Sequence, residues 1–223
     1  MTRRAAVISI GQTPRPGQFA ELSAVLSPGI ALDQRGALDD LSDAQIASAA
    51  PGPGDAALFT YRRDGTAITV RHDVVTAGVK RRLAELAGEG FDVTLLSCTG
   101  SFPALDGAGL LLRPSRILDA VVGAVFDGGR LGVLVPLPEQ VGTLTDRWRR
   151  PGVTVIARAL RPGSDGATID AAATELAAQA PDLIVMDCMG YTAAEKARFK
   201  TVTNRPVVLA VACAARVLEE LTA

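Results

Sequence analysis

The chain has 223 residues, enough for one domain or for two of roughly 110 residues each, and either arrangement can bury a core. Its net charge of -1 and its 4% aromatic content leave no basic stripe interleaved with rings, which excludes nucleic acid and anionic membrane surfaces as expected partners. Three cysteines with no CxxC spacing make neither a disulfide framework nor a zinc site, so no metal is expected and a reducing cytoplasm is the natural setting.

The opening MTRRAAVISIG carries an apolar run broken by Ser9 and Gly11, too short for a signal peptide or a membrane anchor. Residues 5–10 read as a first buried strand, and the loop GQTPRPG at 11–17 has two prolines and two glycines that stop regular structure. Gln12, Thr13 and Arg15 are therefore expected on display at the sheet edge, as ligand contacts. The loop is no nucleotide fingerprint, because it lacks the second glycine of GxGxxG. A helix over 19–26 and a strand at 30–32 follow, then a short helix over 38–50 with Ser42 as cap, closed by PGPG at 51–54. Two β-rich runs within 57–70 flank RRDG at 62–65, whose Asp-Gly predicts an antiparallel hairpin. His72, the sole histidine, reads as a polar residue at a strand end. An amphipathic helix over 74–87 delivers the chain into a strand at 93–96.

A strand at 109–112 leads to RPSR at 113–116, where Ser115 is the expected cap of a helix over 117–126. Arg113 and Arg116 flank that helix start, a place suited to an anion. The second half opens after 127–129 with a strand at 131–135, a helix over 139–148, a strand at 153–157 and an alanine-rich helix over 168–180. A strand at 183–186, a helix over 193–200, a last strand at 207–211 and a closing helix over 214–221 complete it. The expected divisions are 1–115, 116–206 and a final strand and helix at 207–223. Cys213, at the start of the closing helix, reads as a small apolar core residue.

Two stretches organise this pattern: FDVTLLSCTGSF at 91–102 and PDLIVMDCMGYT at 181–192. Each is a continuous apolar run, as expected for a strand buried on both faces of a parallel sheet, and each ends in a cysteine with a glycine two residues on. The echo has a constant offset of 90 residues, pairing Glu85 with Glu175, Leu86 with Leu176, Asp92 with Asp182, Cys98 with Cys188 and Gly100 with Gly190. Two related half-units, each contributing one cysteine, would produce it. Cys98 and Cys188 then lie just past the carboxyl ends of their strands, the edge at which open α/β sheets bind ligands, beside the amino end of a helix. With one histidine in the chain, a Cys-His dyad, a Ser-His-Asp triad and a multi-histidine metal site are all poorly supported. Two opposed thiols, one ionised and one protonated, need no histidine: they can remove a proton from one face of a carbon and return one to the other.

SIGQTPRP at 9–16, RPSRIL at 113–118 and IVMDCMGY at 184–191 together resemble the AroM-like proteins, a branch of the aspartate/glutamate racemase superfamily. The resemblance implies an α/β fold of two pseudo-symmetric, Rossmann-like halves with mainly parallel sheets, a site in the cleft between them, and a last helix packing back on the first half. It implies that Cys98 and Cys188 flank the substrate carbon, and that Thr99, Gly100 and Ser101, with Met189, Gly190 and Tyr191, hold a small carboxylate; Arg116 and the first loop add to that set. No cofactor is implied, and superfamily relatives commonly form homodimers. The implied activity is a cofactor-independent racemase or epimerase. The alternatives are a decarboxylase or cis-trans isomerase using one cysteine, and a small-molecule binding protein without turnover. The chain departs from the racemase pattern at three places: Thr99-Gly100 stands for Asn-Thr, Met189 for Thr, and Gln12-Thr13 for Asp-Ser.

Overall fold

A computed structural model describes residues 3–102, 105 and 109–223. The chain divides into two compact units, Met1–Ser115 with Ala214–Ala223, and Arg116–Cys213.

In the first unit, β1 (Arg3–Ser9) is wholly buried from Ala5 onward, which only a central strand covered on both faces achieves. After β1, Pro16 stands at the first position of α1 (Pro16–Ser23), so the helix starts three residues before the apolar pattern suggested. The strand expected at 30–32 runs further, as β2 (Ile30–Gly36), because every residue of it pairs in parallel with β1 and carries the polar Asp33-Gln34-Arg35 along. The helix expected from residue 38 begins only at Asp43: α2 (Asp43–Ser48) is set by a capping box between Ser42 and Gln45, and the residues before it form turns. The hairpin forms as β3 (Ala57–Tyr61) and β4 (Ala67–Arg71), with Gly65 at φ +85° supplying the left-handed turn position.

His72 is not a strand-end residue: α3 (His72–Leu86) starts directly after β4, with no linker between them. Then come β5 (Val93–Ser97), β6 (Leu110–Leu112) and α4 (Pro114–Val125). Pro114 opens that helix, so Ser115 lies inside its first turn instead of capping it. The four-stranded sheet has the order β2-β1-β5-β6, all parallel.

The second unit repeats the plan with β7 (Gly129–Val135), α5 (Gln140–Trp148), β8 (Val153–Ala159), α6 (Gly166–Ala178), β9 (Leu183–Met186), α7 (Ala193–Thr203) and β10 (Val207–Leu209). Its sheet, β8-β7-β9-β10, has the same order of corresponding strands as the first and is also parallel throughout. The paired aspartates of the echo do equivalent work. Asp92 accepts from the Arg4 backbone N–H at 3.3 Å and donates its own to the Arg4 carbonyl at 3.1 Å. Asp182 makes the same two bonds with Arg130, both at 2.8 Å.

The last helix, α8 (Ala210–Thr222), begins in the second unit and ends in the first. There Arg3 donates to the Thr222 carbonyl at 2.5 Å, and the Ser27 N–H donates to Glu219 at 2.8 Å. Because α8 starts at Ala210, Cys213 falls on a partly exposed face; the expectation of a core cysteine is corrected. Among the described residues, no helix is long and apolar enough to cross a membrane.

Candidate active site

Cys98 directly follows β5 and is buried in the core cluster that includes Ile10, Leu58 and Phe102. Cys188 follows β9 by two residues and is half-buried. Both sulfurs accept the backbone N–H of the residue two positions on. Gly100 donates to Cys98 Sγ at 3.2 Å, and Gly190 to Cys188 Sγ at 3.4 Å. An N–H donated to sulfur favours the thiolate over the thiol. Glycine keeps the approach uncrowded. A Cβ at Gly100 would stand 3.3 Å from Cys98 Sγ and 3.1 Å from Leu58, and one at Gly190 would stand 3.2 Å from Pro162 and 3.6 Å from Cys188 Sγ.

The expected helix amino end beside each thiol is corrected by this geometry. Helix α7 starts at Ala193, five residues after Cys188, with Thr192 as its cap, and residues 99–102 after Cys98 are not helical. Local amides of the Cys-x-Gly turns approach the sulfurs instead.

The first loop is not simply on display. Gln12 is 6% exposed, with its amide nitrogen 3.4 Å from the carbonyls of Leu38 and Leu41 and its carbonyl oxygen accepting from Arg63 N–H at 3.1 Å. It therefore braces the loop against the hairpin. Thr13 donates its N–H and hydroxyl to the two oxygens of Asp39 at 2.7 and 2.6 Å, and Arg63 Nε donates to the Thr13 carbonyl at 2.8 Å. Arg15 lies with its guanidinium 4.2 Å over the Tyr61 ring. Gly11 permits this, because any Cβ there would lie 2.4 Å from the Tyr61 carbonyl.

Of the residues after the first cysteine, Thr99 is buried, Gly100 is half-buried and Ser101 is exposed. Arg113 reaches this loop, donating to the carbonyls of Phe102 at 3.4 Å and Leu105 at 2.7 Å. Arg116 is exposed in the first turn of α4.

After the second cysteine, Met189 is 3% exposed and Tyr191 fully buried, so their side chains pack the core of the second unit. Tyr191 donates its hydroxyl to the Leu160 carbonyl at 2.5 Å. Glu195 completes a capping box with Thr192 and also accepts from Gly163 N–H at 2.8 Å, tying the loop after β8 to the start of α7.

Beside Cys188, the fully buried Asp187 carboxylate accepts from Trp148 Nε1 at 2.9 Å and Arg147 at 3.1 Å; Arg147 also pairs with Asp119 at 3.0 Å. Asp39, Arg63, Asp187, Arg147 and Glu195 were missed from sequence. Only Glu195 carried a readable signal, the T-x-x-E spacing from Thr192. Among the described residues, no group of three or more His, Cys, Asp or Glu side chains is placed to hold a metal ion.

The sequence profile of the family described as AroM protein matches residues 5–222. No curated protein sequence matches the chain. Among solved structures, the allantoin racemase from Klebsiella pneumoniae aligns at a TM-score of 0.65 and 16% identity, over 98% of this chain and 87% of the other. Unliganded arylmalonate decarboxylase aligns at 0.62 and 16% identity, over 100% and 93%. A cysteine-to-serine mutant of the Nocardia farcinica maleate cis-trans isomerase, with a covalently bound succinylcysteine intermediate, aligns at 0.61 and 17% identity, over 98% and 92%. The fold is therefore the one these three enzymes share.

Proposed function

We propose, starting from the fact that this chain belongs to the AroM protein family, that it is an isomerase acting at the carbon α to a small carboxylate, with Cys98 and Cys188 as its acid/base pair. The observation that carries this reading is the repeated turn: at corresponding strand ends, each unit presents a cysteine whose sulfur accepts a glycine N–H. An N–H at each sulfur suits a group that must hold negative charge in one half of the cycle and a proton in the other. In the forward direction one thiolate takes the α-proton, the carboxylate delocalises the resulting electron pair, and the other thiol gives its proton to the opposite face. The reverse direction exchanges the roles. Thr99, Gly100, Ser101, Met189, Gly190, Arg15 and Arg116 are the proposed carboxylate contacts, and Thr13, whose N–H and hydroxyl both go to Asp39, holds the first loop. Met189 can serve only through its backbone N–H, and Gly190, whose N–H meets Cys188 Sγ, only by letting the substrate pack close to the turn. Gln12 and Tyr191 support the site from behind, given the bonds their side chains already make.

The test is solvent exchange. Incubated in heavy water with a panel of amino, hydroxy and dicarboxylic acids, the protein is expected to place deuterium at the α-carbon of one of them. Cys98→Ala and Cys188→Ala are each expected to lose net isomerisation. Exchange that survives in both single variants and in the double variant would sink the two-thiol reading.

A second reading rests on the dissimilar surroundings of the two sulfurs, one buried beside Thr99 and one half-exposed beside Met189. In it a single cysteine adds to, or protonates, the substrate, as in a cis-trans isomerase or a decarboxylase. Carbon dioxide release or double-bond isomerisation that needs only one of the two thiols would select it. Ligand binding that raises the melting temperature without any conversion would select a binding protein.

A further inference from the structure

The sole histidine has no part in that chemistry, yet its ring grips the loop that follows Cys98. His72 Nε2 lies 2.8 Å from the Ser101 carbonyl oxygen, and the imidazole stacks on Phe102 with centroids 5.0 Å apart and planes inclined by 26°. A carbonyl oxygen only accepts, so Nε2 carries a proton. Nδ1 faces the Thr76 hydroxyl at 3.2 Å. The ring is anchored in turn: His72 begins α3, and its backbone N–H bonds to the Ala56 carbonyl at 2.8 Å. Its charged neighbours, Arg71 and Asp73, pair with each other at 3.3 Å.

The two gripped residues directly follow the Gly100 amide that meets the sulfur. Phe102 shares a buried cluster with Cys98, and its ring comes within 3.5 Å of the point where a Cβ on Gly100 would stand; Cys98 Sγ is 3.3 Å from the same point. Moving Ser101 or Phe102 therefore moves the Gly100 N–H that meets the sulfur at 3.2 Å. The second unit has no histidine and holds its corresponding turn by other means.

We propose that His72 is a positioning residue for Cys98: its Nε2–H bond to Ser101 and its stacking on Phe102 hold the loop so that Gly100 N–H stays on the sulfur. This rests on the reading of Cys98 as a reacting thiol, but its test needs no substrate, so the two can fail separately.

The experiment follows the rate of iodoacetamide labelling at Cys98 and Cys188 against pH, by mass spectrometry of the full chain. His72→Phe keeps a ring on Phe102 and removes the donor; His72→Gln restores an N–H at similar reach. In His72→Phe the labelling midpoint of Cys98 is expected to rise by about one pH unit, roughly a tenfold loss of rate at pH 7. In His72→Gln most of that shift should be recovered, and Cys188 should keep its midpoint in both. A change confined to the high-pH plateau would mean altered access alone and would overturn the proposal. Equal shifts at both cysteines would do the same, since they mark general loosening. If the variants do not fold, the wild-type protein still decides. A long-range proton–nitrogen spectrum contains a single imidazole, expected with its proton on Nε2, and a ring protonated only at Nδ1 refutes the bond to Ser101.

Discussion

The two cysteine turns share one backbone device and differ in what holds it. In the second unit the turn runs within five residues into a capped helix, and side chains of the turn and helix start reach outward, Asp187 to Trp148 and Arg147, Tyr191 to Leu160 and Glu195 to Gly163. In the first unit no helix follows in residues 99–102, and the turn is held by side chains from elsewhere: His72 at the start of α3 and Arg113 at the end of β6. A turn that sends out its own side chains changes with them, whereas a turn gripped by side chains of other elements can lose them with its own sequence intact. The two thiols are thus expected to respond differently to the same class of substitution.

The largest effect should come from the buried network. Asp187→Ala takes the carboxylate acceptor from Trp148 Nε1 and one of two carboxylates from Arg147, and should cost about 3 kcal/mol, since breaking a buried pair from one side leaves buried donors poorly compensated. Trp148 is the only tryptophan, so its fluorescence during denaturant unfolding reports the second unit. A loss below about 1 kcal/mol would show that the network does not brace the turn.

Next come the glycines. Gly100→Ala and Gly190→Ala should each cost about 1–2 kcal/mol through crowding, but their effects on the thiols should differ. The new methyl stands 3.3 Å from Cys98 Sγ in one and 3.6 Å from Cys188 Sγ in the other. Labelling of Cys98 is expected to change more in its variant than labelling of Cys188 does in the other. The reverse order would break the comparison.

Arg113→Met removes both donors to the loop after Cys98 and should cost about 1 kcal/mol, with Cys98 labelling altered and Cys188 labelling unaffected.

The smallest effect is electrostatic and belongs to the first unit. The Ser27 hydroxyl, and then its N–H, hold Glu219 below the ordinary carboxylate range. A lowered folded value means the contribution is fully present above the unfolded carboxylate pKa and is lost as pH falls through the folded one. Hydrogen-exchange protection in the last turns of α8, taken relative to the intrinsic rate at each pH, should therefore fall below about pH 4, and Glu219→Gln should flatten that dependence. Because the group is exposed, the change should be small.

The strands, the hairpin and the repeat were legible in the sequence because they depend on local pattern: Leu183 to Met186 is apolar throughout, and Asp64-Gly65 marks its own turn. Ser42 was legible as a cap for the same reason. His72 was misplaced because α3 follows β4 without a linker, and Ser115 because Pro114 takes the first helical position before it, so hydrophobic period alone cannot locate either helix start. Asp39 stayed hidden because its partner Thr13 is 26 residues away, and Asp187 because Trp148 is 39 away. The side chains of Gln12 and Tyr191 show the same limit from the other side. Polar residues in a loop read as display, but burial turned them into internal ties.

Helix α8 sets an order of events during synthesis. The first unit needs residues 214–223, yet the whole second unit, residues 116–213, emerges from the ribosome before them. At roughly 5–20 residues per second, the earlier part of the first unit waits about 5–20 s for its closing helix. Through that interval Arg3 lacks Thr222 and Ser27 lacks Glu219, contacts that span 219 and 192 residues. The second unit lies on one uninterrupted stretch and can complete first. The half that begins the chain is therefore the half that finishes folding last.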